Sequence, residues 1–214
     1  GLYPDSHSIL FYPASYRVPY EIEKTDNANV VARAEVLEKI SSSKNNWIVT
    51  YPKALIEKIP SKKVLTKHTF KLQVGKEYNL DQLNDQLTNV HFERVEFVYE
   101  PGQFSIRGGI LDIFSFSGDN PYRVEFFGDE VESIRTFDAS SQLSIKTHAF
   151  FTVVPNVQKT FSVDENVSFI DFIKDTTPVW ISSVQSTLDK LTTEFKKAES
   201  IYGKLDQTVS RLSP

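Results

Sequence analysis

Neither cysteine nor methionine occurs in these 214 residues. Without cysteine there is no disulfide framework, no thiolate nucleophile and no Cys-ligated zinc, so thiol redox chemistry and zinc fingers are excluded together. No stretch approaches the roughly eighteen consecutive apolar residues of a membrane span, and the start lacks the basic-then-apolar pattern of a signal peptide. The expected compartment is the cytoplasm. Glycine at position 1 and the missing methionine read as an internal fragment of a longer protein.

Catalytic signatures are missing too. A phosphate cradle needs a GxxxxGK[ST] loop of bare backbone amides plus a lysine. The two Gly-Lys pairs, Gly75-Lys76 and Gly203-Lys204, lack the first glycine and run on into Glu77 and Leu205. They read as turns. The four histidines, His7, His68, His91 and His148, stand far apart without metal-ligand spacing, and no serine sits in a GxSxG elbow. Asp129, Glu130 and Glu132 offer carboxylates, but Gly128-Asp129-Glu130 has turn chemistry with a solvated acidic rim rather than an acid and base pair. The expectation is a chain with no enzyme activity, no cofactor and no metal. A formal net charge of -4 argues against enveloping nucleic acid, which rewards a basic total.

What is present falls into three parts, with boundaries at 1–70, 71–154 and 155–214. The first alternates: Ile9 to Tyr12 is strand-like, Ala28 to Ile40 has helical spacing, Trp47 to Thr50 is a second apolar run, and Ala54 to Ile59 is a short helix closed by Pro60. This βαβα order is that of a parallel sheet. Ser61 to Lys67 is polar and basic and reads as a linker.

In the middle part Asn79 caps a helix carrying Leu80, Leu83, Leu87 and Val90 on one face, and from Phe92 the period changes to two. Arg94 to Glu100, Gln103 to Ile106, Ile110 to Phe116, Tyr122 to Phe127, Val131 to Phe137 and Leu143 to Val154 form an expected antiparallel meander of five or six strands. Turns fall at Pro101-Gly102, Gly108-Gly109 and Gly118 to Pro121. The last part reads helix (Val167 to Ile173), strand (Val179 to Ser182), helix (Val184 to Tyr202). The fold class expected is α/β, with first and last parts making one layer and the meander inserted into it.

Cation usage is uneven. No lysine occurs between Lys76 and Lys146, whereas four of the seven arginines, Arg94, Arg107, Arg123 and Arg135, lie there. Arginine is preferred for planar, bidentate, desolvated contacts. Pairing with the neighbouring glutamates on a polar sheet face is the bland alternative. On a regular strand, Arg123, Glu125 and Phe127 share one face, and Tyr122, Val124 and Phe126 the other. An aromatic beside an arginine on a wet face has the makings of a binding hot spot; alternatively Phe127 turns under the following loop.

The segments Phe92-Glu93-Arg94-Val95, Glu100 through Phe114 (EPGQFSIRGGILDIF) and Tyr122 through Arg135 (YRVEFFGDEVESIR) closely resemble the bacterial transcription-repair coupling factors, the Mfd family. The pattern recurs more loosely in UvrB, the helicase-like subunit of the excision-repair nuclease. Phe11-Tyr12-Pro13 through Pro19-Tyr20-Glu21, Glu35-Val36-Leu37 and Ile48 through Leu55 extend the likeness into the first part. Ser115 departs from it, since many relatives have proline there. The resemblance implies degenerate RecA-like, UvrB-like α/β pieces flanking an inserted α+β domain that binds UvrA, the damage-recognising ATPase. It carries UvrA contact over to Arg107, Arg123 and Phe127. For the longer protein it implies a DNA-translocating ATPase with RNA polymerase and double-stranded DNA as further partners, engaged by regions absent from this chain. The competing expectation is a DNA-binding fragment of a UvrB-type helicase subunit.

Overall fold

The computed structural model describes residues 8–15, 27–42, 46–157 and 165–202. The Pro19-Tyr20-Glu21 run, His7 and the Gly203-Lys204 pair lie outside them.

The first part forms the expected start. Strand β1 (Ser8–Phe11) and β2 (Asn46–Val49) pair in parallel around α1 (Asn27–Ser42). Val30, Ala34 and Leu37 of α1 are buried, as the helical spacing required. Beyond this βαβ unit the expected parallel layer stops. Helix α2 is short (Pro52–Leu55), and Ile59–Pro60, expected as a helix end, is instead a strand, β3. It pairs antiparallel with β12 (Asn166–Val167), which joins the last part to the first. The expected linker is a helix, α3 (Lys62–His68). Ser61 caps it by accepting a hydrogen bond from the Val64 amide, and Val64 and Leu65 are buried. Two apolar residues on one turn supply the burial that the basic neighbours concealed.

The middle part opens with β4 (Phe70–Gln73), which sequence patterning did not single out, and α4 (Leu80–Asn89), capped by Asn79 as expected. The meander is a six-stranded sheet in the order β10-β9-β8-β7-β6-β5. Its strands are β5 (Glu93–Arg94), β6 (Gln103–Arg107), β7 (Ile110–Ile113), β8 (Tyr122–Phe127), β9 (Glu130–Phe137) and β10 (Ser144–Thr147). Two expectations change here. The run Arg94 to Glu100 is strand only at Glu93–Arg94, and that strand runs parallel to β6, so the sheet is not wholly antiparallel. Leu143 to Val154 splits in two: β10 stays in the sheet, whereas β11 (Phe150–Val153) leaves it to pair with β4. Chain entry and exit of the middle part are therefore adjacent antiparallel strands.

Turn chemistry behaves as the residues dictate. Gly102 has φ +89°, and a Cβ there would lie 2.4 Å from the Phe116 ring, so the approach of turn to ring needs glycine. Gly108-Gly109 forms the tight turn between β6 and β7.

One face of the sheet carries the core: Phe104, Leu111, Ile113, Val124, Phe126, Val131 and Ile134 are buried, with Leu83 and Leu87 of α4 in the same cluster. Ser115 is also buried. Its hydroxyl accepts from the Val154 amide at 2.9 Å and so ties the exit of β7 to the end of β11.

In the last part α5 (Phe169–Phe172) starts in a capping box of Ser168 and Asp171. Val179 to Ser182, expected as a strand, is irregular and exposed, with no strand beside it among the described residues. Helix α6 (Val184–Tyr202) has the expected limits. No helix of the described residues is long and apolar enough to cross a membrane.

Candidate protein-binding face

The second face of the six-stranded sheet is polar along most of its length. Register places Ser105 opposite Asp112, Asp112 opposite Arg123, and Arg123 opposite Arg135, so these side chains share one side. At one end the segment 95–100 covers it. The amides of Tyr99 and Glu100 donate to the Gln103 side-chain oxygen, and Val98 packs with Phe114 and Phe137 in a small second cluster. Ser105 Oγ donates to the Glu96 carbonyl at 3.0 Å.

Asp112 organises this face. It is 1% exposed, inside an otherwise apolar strand. A carboxylate so buried must be paired. Arg123 donates Nε to its Oδ1 at 2.7 Å and Nη2 to its Oδ2 at 2.8 Å, a bidentate arrangement, while Arg107 Nη2 reaches the same Oδ2 at 2.8 Å. Arg107 also donates Nη1 to the Glu96 carbonyl at 2.8 Å and lies 4.7 Å above the Phe97 ring. Arg123 lies 4.5 Å above Phe137 and contacts the Gln142 side-chain oxygen at 3.3 Å. The hydrogen bonds from Arg123 to Asp112 raise the arginine's already high pKa further. Next along β8, Glu125 accepts hydrogen bonds from the Ser133 hydroxyl and from Arg135, and these hold its carboxyl below the usual carboxylate range.

Phe127 ends the strand on the same side and is 83% exposed. It does not tuck under the turn. Four residues of strand separate it from Arg123, about 13 Å, with the Glu125–Arg135 pair between them.

The three residues singled out from sequence thus share a face. Arg107 and Arg123 meet at one carboxylate, and Phe127 stands at the far end. The arginines are not free, as the hot-spot reading assumed; each is paired within the chain, in line with the pairing alternative, although Asp112 rather than a glutamate holds these two. Arg94 lies elsewhere, against Asn84 of α4. Sequence reasoning missed Asp112, Gln142 and Phe97. For Asp112 a signal existed, since one acid inside Ile110-Leu111-Asp112-Ile113-Phe114 demands a buried cation partner. Gln142 and Phe97 sit in loops and carried none.

Residues 70–158 match the UvrB interaction domain family, which gives the class of the middle part. Over 209 residues, 98% of this chain and 17% of the relative, the sequence is 29% identical to the transcription-repair-coupling factor of Bacillus subtilis (strain 168). It is 33% identical over 155 residues to that of Rickettsia prowazekii (strain Madrid E), covering 72% of the chain and 14% of the relative. With the coupling factor of Myxococcus xanthus the identity is 32% over 148 residues, 69% of the chain and 12% of the relative. The chain belongs to the transcription-repair-coupling factor family, and it spans about a sixth or less of these relatives' length.

Proposed function

We propose that this chain is a non-catalytic module that recruits UvrA, linking a coupling factor to nucleotide-excision repair. The observation that carries the reading is Phe127, a large aromatic left 83% exposed on the arginine-bearing face of a region matching the UvrB interaction domain. On this reading Arg107 and Arg123 offer charge-assisted hydrogen bonds to partner carboxylates, and Phe127 fills a pocket and excludes water. The α/β parts on either side are read as reduced RecA-like pieces that support the module in the cytoplasm. RNA polymerase, double-stranded DNA and ATP belong to regions of the longer protein outside this chain.

Titration with purified UvrA tests the proposal. Alanine at Arg107, Arg123 or Phe127 is expected to weaken binding by roughly 1–4 kcal/mol. If all three variants bind as tightly as the unaltered chain, the reading fails. Tight binding to duplex DNA with a steep salt dependence would favour the helicase-fragment reading instead.

A further inference from the structure

We infer that Asp112 is the positioning residue of this surface: a buried carboxylate that fixes two arginines in a shared orientation before any partner arrives. The inference rests on the recruitment reading above and adds a residue that does not itself meet the partner. Asp112 is inaccessible, yet both of its oxygens are used by side chains that are accessible, Arg107 at 37% and Arg123 at 17% exposure. Within this group of three, two cations over one anion leave one net positive charge. The neighbouring Glu125–Arg135 pair is neutral and does not cancel it.

Long cationic side chains on a surface normally lose rotamer freedom when they bind, which weakens the complex. Here that freedom is already restricted. Arg123 is fixed by a two-point carboxylate contact and by the Phe137 ring, Arg107 by Asp112, the Glu96 carbonyl and the Phe97 ring. Nε of Arg107 and Nη1 of Arg123 have no hydrogen-bond partner among the described residues. The partner this fits carries a carboxylate that completes the remaining guanidinium donors. Without Asp112 the two guanidiniums repel each other and both lose their shared anchor, leaving Arg107 the Glu96 carbonyl and the Phe97 ring and Arg123 the Phe137 ring and Gln142.

The test uses the whole chain and purified UvrA. Asp112→Asn keeps the side chain's shape and removes its charge; it is expected to weaken UvrA binding about tenfold. In a chain already carrying Arg107→Ala and Arg123→Ala, which strands the buried Asp112 and is first confirmed folded by circular dichroism, the same change is expected to alter affinity less than about twofold, because a residue acting through two others has no effect on binding once they are gone. A merely structural role would weaken both backgrounds equally. Arg123→Lys keeps the charge but cannot span both Asp112 oxygens, so it is expected to bind as weakly as Arg123→Ala. This variant leaves Asp112 in place, and wild-type affinity for it overturns the positioning role if Asp112→Asn does not fold. Wild-type affinity for Asp112→Asn or Arg123→Lys, alongside weak arginine-to-alanine variants, overturns the positioning role and leaves the recruitment reading intact. Arginine and Phe127 alanine variants that bind like wild type overturn both.

Discussion

Two ion-pair clusters in this chain use the same chemistry in opposite senses. In the first part Arg33 is buried and Glu57 partly exposed. The Arg33 guanidinium reaches Glu57 at 3.0 Å, donates to the Pro13 carbonyl at 2.8 Å and lies 4.5 Å over the Tyr12 ring, which stacks on Phe169 of α5. Glu57 in turn accepts from the Ser15 amide. Burial pushes the Tyr12 hydroxyl pKa up, so it stays neutral. The Arg33 side chain is buried, and the cluster ties together the segment after β1, α1, the segment after α2, and α5. In the sheet the order is inverted, with the anion buried and the cations at the surface. Burying the cation commits it to the fold, whereas burying the anion leaves its cations held in place and partly accessible.

Truncating Arg33 should give the largest effect that separates the two clusters. Arg33→Ala leaves Glu57 and the Pro13 carbonyl without their partner, and chemical denaturation should register a loss of roughly 3 kcal/mol in unfolding free energy. UvrA affinity should not change. A loss below about 1 kcal/mol would mean that the buried pair is not a structural tie.

Phe127→Ala should do the reverse. We expect calorimetric titration with UvrA to lose about 2 kcal/mol, with unfolding free energy within about 0.5 kcal/mol of wild type. Destabilisation as large as the affinity loss would break the contrast between the inward and outward clusters.

A smaller effect comes from Glu125, whose folded-state pKa is depressed by the Ser133 hydroxyl and by Arg135. A carboxyl lowered on folding contributes stability that is fully present above its unfolded value, about 4.3, and is lost as pH falls through the folded value. Unfolding midpoints followed from pH 6 downward should therefore drop less steeply in Glu125→Gln than in wild type at the acid end, and coincide in slope near neutrality. Identical acid slopes would remove Glu125 from the account. Smallest of all, Lys190→Ala on the exposed α6 should leave both stability and UvrA affinity within about 0.5 kcal/mol; a larger loss of affinity would extend the binding surface beyond the sheet.

Local signals were legible wherever neighbours along the chain decide the outcome. Asn79 before an apolar helical stripe, the glycine turns and the alternation of β8 each led to the observed element, because a cap, a turn and a pleat are set within a few residues. Failures cluster where a distant segment is needed. Strand β4 exists because β11 lies beside it, and Ile59–Pro60 is a strand because Asn166–Val167 pairs with it. Val179 to Ser182 has strand-like residues and no pairing partner among the described residues. Ser61 to Lys67 looked like a linker since its charges outnumber its two core-facing residues.

By itself the sequence determined that the chain holds no cysteine and no GxxxxGK[ST] loop, that arginine supplies every Lys or Arg cation between Lys76 and Lys146, and that Arg123 and Phe127 share a strand face. Those conclusions depend on residue type and a period of two, which need no knowledge of what lies opposite. Only the tertiary structure decided that Arg107 joins Arg123, that one buried aspartate holds both, and that Phe127 is left in solvent. Strand register and the fall of the 95–100 segment over the sheet bring together groups five to eleven residues apart, and no local pattern encodes a distance across a sheet.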